Sequence, residues 1–267
     1  MSSAEGARTF QASGAAYDSF MGRYSRRLAP LFATAAGVAP GQRALDVGCG
    51  PGALTGELVA RLGPASVMAI DPSEPFVADC AARYPGVAVR RGTAEATGLD
   101  DASVDVALAQ LVLHFVGQPE AAARELARVV RPGGTVAACV WDFEEGMAML
   151  RLFWDAALVV DPAAPDEART LRFGRPGEIA ELFAGAGLIE VEESTLVVAE
   201  AYVGIDDLWA GFRQGIGPAG AWLVAQPEEV RRQVREELVA RLGAPEGPFS
   251  LQALARCVRA TVGDPAS

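Results

Sequence analysis

The sequence predicts a doubly wound α/β fold, in which a mostly parallel sheet carries helices on both faces. Three observations point there. Short apolar runs of strand length alternate with stretches of helical periodicity through residue 140, the order that builds a parallel sheet. The run Ala44-Leu45-Asp46-Val47 passes directly into Gly48-Cys49-Gly50-Pro51-Gly52, a turn whose glycines let the main chain approach a ligand closely. A second run, Val67-Met68-Ala69-Ile70, ends in Asp71, an acid placed where a ribose is held in nucleotide-binding sheets.

A chain of 267 residues buries a sizeable core, expected here as one domain over 15–262 after a disordered start over 1–14. Hydrophobic residues at 51% and charged residues at 21% exclude general disorder. The formal net charge of -11 argues against a surface that tracks phosphates, so no nucleic-acid partner is expected. The four cysteines form no Cys-x-x-Cys pair, so neither a disulfide framework nor a metal site is expected. With no apolar leader and no run of membrane length, the expectation is a cytoplasmic protein without a membrane partner.

Taken in order, Tyr17 to Arg27 mixes aromatic and cationic residues ahead of a helix expected over Leu28 to Ala36. This segment reads either as an amphipathic lid over apolar surface or as one that brings Arg23 to a ligand carboxylate, which arginine's planar fork suits. From Ala53, Leu54, Leu58 and Leu62 recur on one helical face until Gly63-Pro64 stops them. Asp71 suits both ribose hydroxyls, or else caps the next helix, which runs through Tyr84 with Pro72 at its start. A third strand is expected over Val87 to Arg90, leading into Thr93, Ala94 and Glu95. The fourth, Asp105 to Gln110, sets Gln110, Leu111 and His114 at a carboxyl end, where ligands sit in open parallel sheets. His114 is the single histidine, and reads as a general base or as a satisfied packing residue.

A helix over Pro119 to Val130 ends at Arg131-Pro132-Gly133-Gly134, and a fifth strand follows over Thr135 to Trp141. Asp142, just past that strand, is a second candidate base. The apolar, aromatic stretches over 143–175 and 200–225, with 15–36, are expected to form a cap over the strand ends, or a helical satellite that merely extends the core. A helix over Pro176 to Ala186 and a strand over Glu190 to Val198 lie between them. Pro227 to Leu242 then forms an amphipathic helix, with Val230, Val234, Leu238 and Leu242 on one stripe, before a last strand over Phe249 to Val262.

The glycine turn alone also satisfies the loose dinucleotide pattern Gly-x-Gly-x-x-Ala. With Asp46 ahead of it, Asp-x-Gly-x-Gly-x-Gly resembles the first motif of class I S-adenosylmethionine-dependent methyltransferases, small type-11 members especially. Asp71 and Arg131-Pro132-Gly133-Gly134 resemble the same family in order and spacing. The resemblance implies a Rossmann-like, seven-stranded sheet whose last strand is antiparallel, with S-adenosylmethionine as cofactor. It implies a cofactor site of Asp46, Gly48, Cys49, Gly50, Asp71, Pro72, Gln110 and Leu111, with Tyr17 and Arg23 closing over the methionine end. Thr93 stands where the family usually has an Asp for the adenine amino group. That contact is therefore expected to be weaker, or to fall to Ala94 or Glu95.

The activity so implied is methyl transfer to a small, largely apolar acceptor, with His114 and Asp142 as candidate catalytic bases. An NAD(P)-dependent oxidoreductase would also explain the turn and Asp71. However, all 23 cationic residues are arginine, which removes any mechanism needing lysine. A same-fold protein using the cofactor for a non-methylating reaction, and a non-enzymatic binder, are the other rivals.

Overall fold

The computed structural model describes residues 14–264, so the start expected to be disordered lies almost wholly outside the described residues. Four parallel strands form one side of a sheet: β1 (Ala44–Val47), β2 (Val67–Asp71), β3 (Ala88–Arg91) and β4 (Val104–Gln110). The chain continues into β5 (Val130–Trp141), β6 (Ile189–Tyr202) and β7 (Phe249–Thr261). The order across the seven-stranded sheet is β3-β2-β1-β4-β5-β7-β6. β7 runs antiparallel to both β5 and β6, and every other pairing is parallel. The direction of strand addition reverses between β1 and β4, where open α/β sheets place their ligands. All four residues of β1 are buried, as a strand covered on both faces requires, and its apolar run is the sequence signature of that burial.

The helices, in chain order, are α1 (Gly14–Ser19), α2 (Gly22–Ala35), α3 (Ala53–Leu62), α4 (Glu74–Arg83), α5 (Pro119–Val129), α6 (Ala148–Val160), α7 (Glu167–Thr170), α8 (Glu178–Gly185), α9 (Ile205–Phe212), α10 (Gly217–Ala225) and α11 (Glu228–Arg241). Ala122, Leu126 and Val129 of α5 and Val234 and Leu238 of α11 are buried, the helical spacings expected of amphipathic elements. α2 begins six residues before the Leu28 expected from sequence, because Gly22 to Arg27 join the same helix. β5 starts at Val130 rather than Thr135. The glycine turn is absorbed into the strand because Gly133 N donates to Val262 O and Val262 N to Gly134 O. β6 runs on to Tyr202 because β7 pairs with it as far as Phe249.

Three segments remote in sequence meet in an aromatic cluster. Phe153 of α6 stacks on Phe212 of α9 at 4.4 Å, and Phe20, between α1 and α2, meets Phe212 edge-on at 5.2 Å. Trp222 of α10 lies 6.0 Å from both Phe153 and Trp154. Such pairs add roughly 0.5–1.5 kcal/mol each beyond the burial of their area. They tie the amino-terminal helices to both insertions, and this layer borders the carboxyl ends of the strands.

Candidate functional site

The glycine turn after β1 is the floor of the site. Gly48, Gly50 and Gly52 all have left-handed φ values, of 67°, 52° and 99°. A Cβ at Gly48 would lie 2.5 Å from Val112 Cγ2, so conformation and space both demand glycine there. Asp71, at the end of β2, holds this turn. Its Oδ2 accepts from Gly50 N at 2.9 Å and its Oδ1 from Ser73 N at 2.8 Å. Burial pushes the Asp71 carboxyl up, and the two N–H groups oppose that rise. Asp46 lies deeper and does not face the main cleft. Burial raises its pKa to about 7, against the Thr55 hydroxyl that donates to Oδ2 at 2.6 Å and with the charge of Asp71. Asp46 lines a small cavity beside the turn, together with Cys49.

Above the turn opens a cleft of about 1250 Å³, counted out to its mouth. Of the residues singled out from the sequence, it brings together Tyr17, Gly48, Gly50, Asp71, Pro72, Thr93, Ala94, Glu95, Gln110, Leu111 and His114. Glu95 Oε1 accepts from Gln118 N at 3.3 Å. Gln110 donates from Nε2 to Ser25 O at 3.1 Å, while its buried Oε1 has no partner among the described residues. Tyr17 lies edge-on to Phe76 at 5.7 Å, its hydroxyl 3.3 Å from Ser25 Oγ, and burial raises its pKa to about 12.

His114 sits in a short 3-10 turn over Leu113–Phe115, 4.0 Å from the Phe115 ring and edge-on to Phe143 at 5.3 Å. Its Nδ1 is buried without a partner among the described residues, and burial pushes its pKa down to about 3. The imidazole is therefore neutral across the physiological range, and weak as a base.

Two residues expected at the site are held elsewhere. Arg23 does not line the cleft. It donates from Nη1 to Asp207 at 2.8 Å and from Nε to Glu200 at 3.2 Å, and lies over the Tyr202 ring. Acids on β6 and α9 thus take the fork that was expected for a ligand carboxylate. Asp142 is also absent from the lining. Its Oδ2 accepts from Arg256 at 2.6 Å and its Oδ1 from the N–H groups of Glu144 and Glu145. Burial works against its charge, yet the Glu145 N–H and the Arg256 guanidinium hold the carboxyl below its ordinary range. Both are structural acid–base pairs.

The far wall comes from the two segments that the sequence marked as cap elements, but sequence reasoning named none of its residues. Phe143, Leu150, Glu167 and the residues Ile216 to Ala219 line it, all from the two insertions. Glu167 is 5% exposed, and its Oε2 accepts from Trp154 Nε1 at 2.7 Å. Burial raises its pKa to about 7. In sequence, Asp166-Glu167 looks like an ordinary acidic helix start, and only the long-range position of Trp154 sets it apart. Among the described residues no three His, Cys, Asp or Glu side chains gather as a metal site, and no helix is long and apolar enough to cross a membrane.

A family model described as a methyltransferase domain matches residues 45–138. Over 237 residues the chain is 30% identical to nocamycin O-methyltransferase of Saccharothrix syringae, covering 77% of this chain and 79% of that one. An uncharacterised methyltransferase of Mycobacterium bovis is 41% identical over 104 residues, 39% of this chain and 41% of its own length. Several curated relatives are thus matched over less than half their length. Phosphoethanolamine N-methyltransferase 2 of Haemonchus contortus, solved with S-adenosylhomocysteine and phosphomonomethylethanolamine, shares the fold at TM-score 0.60 and 15% identity. That likeness covers 99% of this chain and 61% of that one.

Proposed function

The chain belongs to the class I S-adenosylmethionine-dependent methyltransferases, and on that premise we propose that it methylates a small, largely apolar molecule. The observation that carries this reading is the cleft above the glycine turn, with strand ends and that turn on one wall and aromatic residues of the insertions on the other. The first wall fits the cofactor. Asp71 spends one lone pair of each oxygen on the chain's own N–H groups, which leaves acceptor capacity for two ribose hydroxyls. The bare Gly48 and Gly50 admit the methionine end, beside Tyr17, Gln110 and Leu111. Pro72, Thr93, Ala94 and Glu95 border the place of the adenine, with an uncharged Thr93 as the weaker partner. Asp46 and Cys49 support the turn from below.

Bound there, S-adenosylmethionine supplies a methyl group on a positive sulfur, an electrophile ready for in-line displacement. The protein's own work is to position an acceptor and keep water out, which the wall of Phe143, Leu150 and Phe20 does by its apolar surface. The O-methyltransferase named among the relatives favours oxygen as the attacking atom. The net charge of -11 speaks for a small molecule rather than a nucleic acid. Four buried free cysteines suit a reducing cytoplasm.

Calorimetric titration with S-adenosylmethionine, S-adenosylhomocysteine and NAD tests the reading. Binding of the two sulfur ligands without NAD supports it, and the reverse pattern overturns it. Asp71→Ala is expected to weaken S-adenosylhomocysteine by about tenfold or more, since it removes a charged acceptor of two hydrogen bonds.

A further inference from the structure

We propose that Glu167 is the general base of this cleft and that the acceptor carries a phenol or enol hydroxyl. The inference rests on the methyltransferase reading and adds the acceptor's chemistry to it. Glu167 is a carboxyl on the acceptor wall, delivered by the first insertion rather than by the sheet, and it is 5% exposed. Trp154, itself fully buried, anchors Oε2 through its indole N–H at 2.7 Å. No described residue donates to Oε1, and Oε1 is not among the buried atoms sealed off without a partner. One oxygen is therefore fixed and the other is open to a ligand proton.

A buried acid without a cationic partner is costly, and the Trp154 N–H it accepts needs only an uncharged acceptor. The nearby cation, Arg151, is already taken by Asp166 at 2.9 Å and by Asp155 at 3.0 Å. Asp166 itself works against ionisation of Glu167, and Arg151 weakly for it. The other titratable groups on the cleft are Asp71, bound to the glycine turn, Glu95, bound to Gln118, the neutral His114 and Tyr17. Asp71 and Glu95 are thus engaged with main-chain N–H groups and His114 is neutral, whereas Glu167 keeps one oxygen free and burial raises its carboxyl to about 7. Phe143 and His114 form the flat, apolar surroundings that a ring of an acceptor would contact.

In the reaction the acceptor's O–H bond breaks, its proton passes to Glu167 Oε1, and the electron pair stays on oxygen. That pair forms the new O–C bond while the donor's S–C bond breaks toward sulfur. The products are a neutral methyl ether and a thioether, and Glu167 returns its proton to solvent. A phenol or enol gives up its proton to a carboxylate far more easily than an alkyl alcohol does, and the Phe143 and His114 rings on the same cleft suit such a flat acceptor.

The test uses the full chain with a series of para-substituted phenols of graded acidity. Wild type should methylate them at a rate that rises with pH through about 7, the Glu167 limb. Glu167→Gln keeps the acceptor for Trp154 and should bind S-adenosylhomocysteine as wild type does. It should lose about 100-fold in kcat on weakly acidic phenols. That deficit should shrink steadily toward 4-nitrophenol, which is ionised in mildly alkaline buffer. Independently of turnover, two protonated carboxyls, Asp46 and Glu167, should give infrared bands that titrate near neutral pH in the free protein; in Glu167→Gln the Asp46 band should stay and the Glu167 band should vanish. In Trp154→Phe the Glu167 band should titrate higher, because a donor to the ionised form is gone. An equal loss on every phenol, or no loss, overturns the base. If wild type binds S-adenosylhomocysteine but methylates no phenol, the acceptor class is overturned while the methyltransferase reading stands. Failure of wild type to bind S-adenosylhomocysteine sinks both.

Discussion

Asp46 shows how a single buried acid in the most recognisable motif works against stability. Its carboxyl is 1% exposed and meets one hydroxyl, Thr55, with no cation beside it. Burial raises its pKa in the folded chain to about 7 from an ordinary value of 3.8. Between those values the folded state holds a proton that the unfolded state releases, so stability falls as pH rises through this window and levels off above it. Asp46→Asn should therefore melt higher than wild type at pH 8, by an amount on the order of 2–4 kcal/mol less whatever the new amide N–H costs unpaired. The gain should fade toward pH 4, and melting curves of both proteins across that range would check it. A gain independent of pH would mean that the asparagine acts by packing alone. At this scale the sequence was legible where spacing itself encodes the geometry: Gly48, Gly50 and Asp71 are brought to one cleft wall because strand ends and a tight turn leave them nowhere else. It was not legible for Glu167, whose environment is set by Trp154, an indole thirteen residues away on another helix.

At the scale of elements, Arg23 is a clasp between α2 and the far edge of the sheet. Besides Asp207 and Glu200 it donates to Ala201 O, and Arg27 reaches Glu200 as well. Arg23→Ala should cost about 1–2 kcal/mol of stability, by leaving two carboxylates short of a partner, and should leave S-adenosylhomocysteine affinity nearly unchanged. Thermal melting and calorimetry on the same sample separate the two effects, and a large loss of affinity with little loss of stability would return Arg23 to the site. Sequence could suggest that an arginine beside Tyr17 and Tyr24 faces something negative. Which acid it meets depends on how β6, more than 170 residues later, is laid against α2. Asp142 is the parallel case. It follows β5, and the antiparallel register that pairs Trp141 with Ala255 brings Arg256 to it from β7. The elements themselves were mostly legible because their apolar periodicity is strong, and their ends moved where glycine turns or long-range pairing extended them, as in β5 and β6.

Across the whole molecule the sheet ends in two unlike edges. β3 is short and exposes Arg90 and Arg91, whereas β6 exposes Glu190, Glu192 and Glu193 over its first half. Charge on an edge strand discourages pairing with a second sheet. Arg90→Val would leave an apolar run from Val87 through Arg90 on the four-residue β3 edge, and light scattering should show increased self-association at high concentration. Unchanged scattering would mean that shortness alone protects this edge. The doubly wound architecture was readable in advance because alternation of strand and helix leaves few topologies. The segments of the cap stood out by their aromatic content, but their packing was not legible, since the helices owe their placement to the aromatic cluster and not to a repeating pattern. That cluster also divides the cleft by chain order. Apart from the segment around Tyr17 and Phe20, one wall is complete by Gly117, and the other begins at Trp141. The stretch held in common with the family, residues 45–138, closes between them. A chimera joined in the Arg131–Gly134 turn would exchange what is methylated and keep what supplies the methyl.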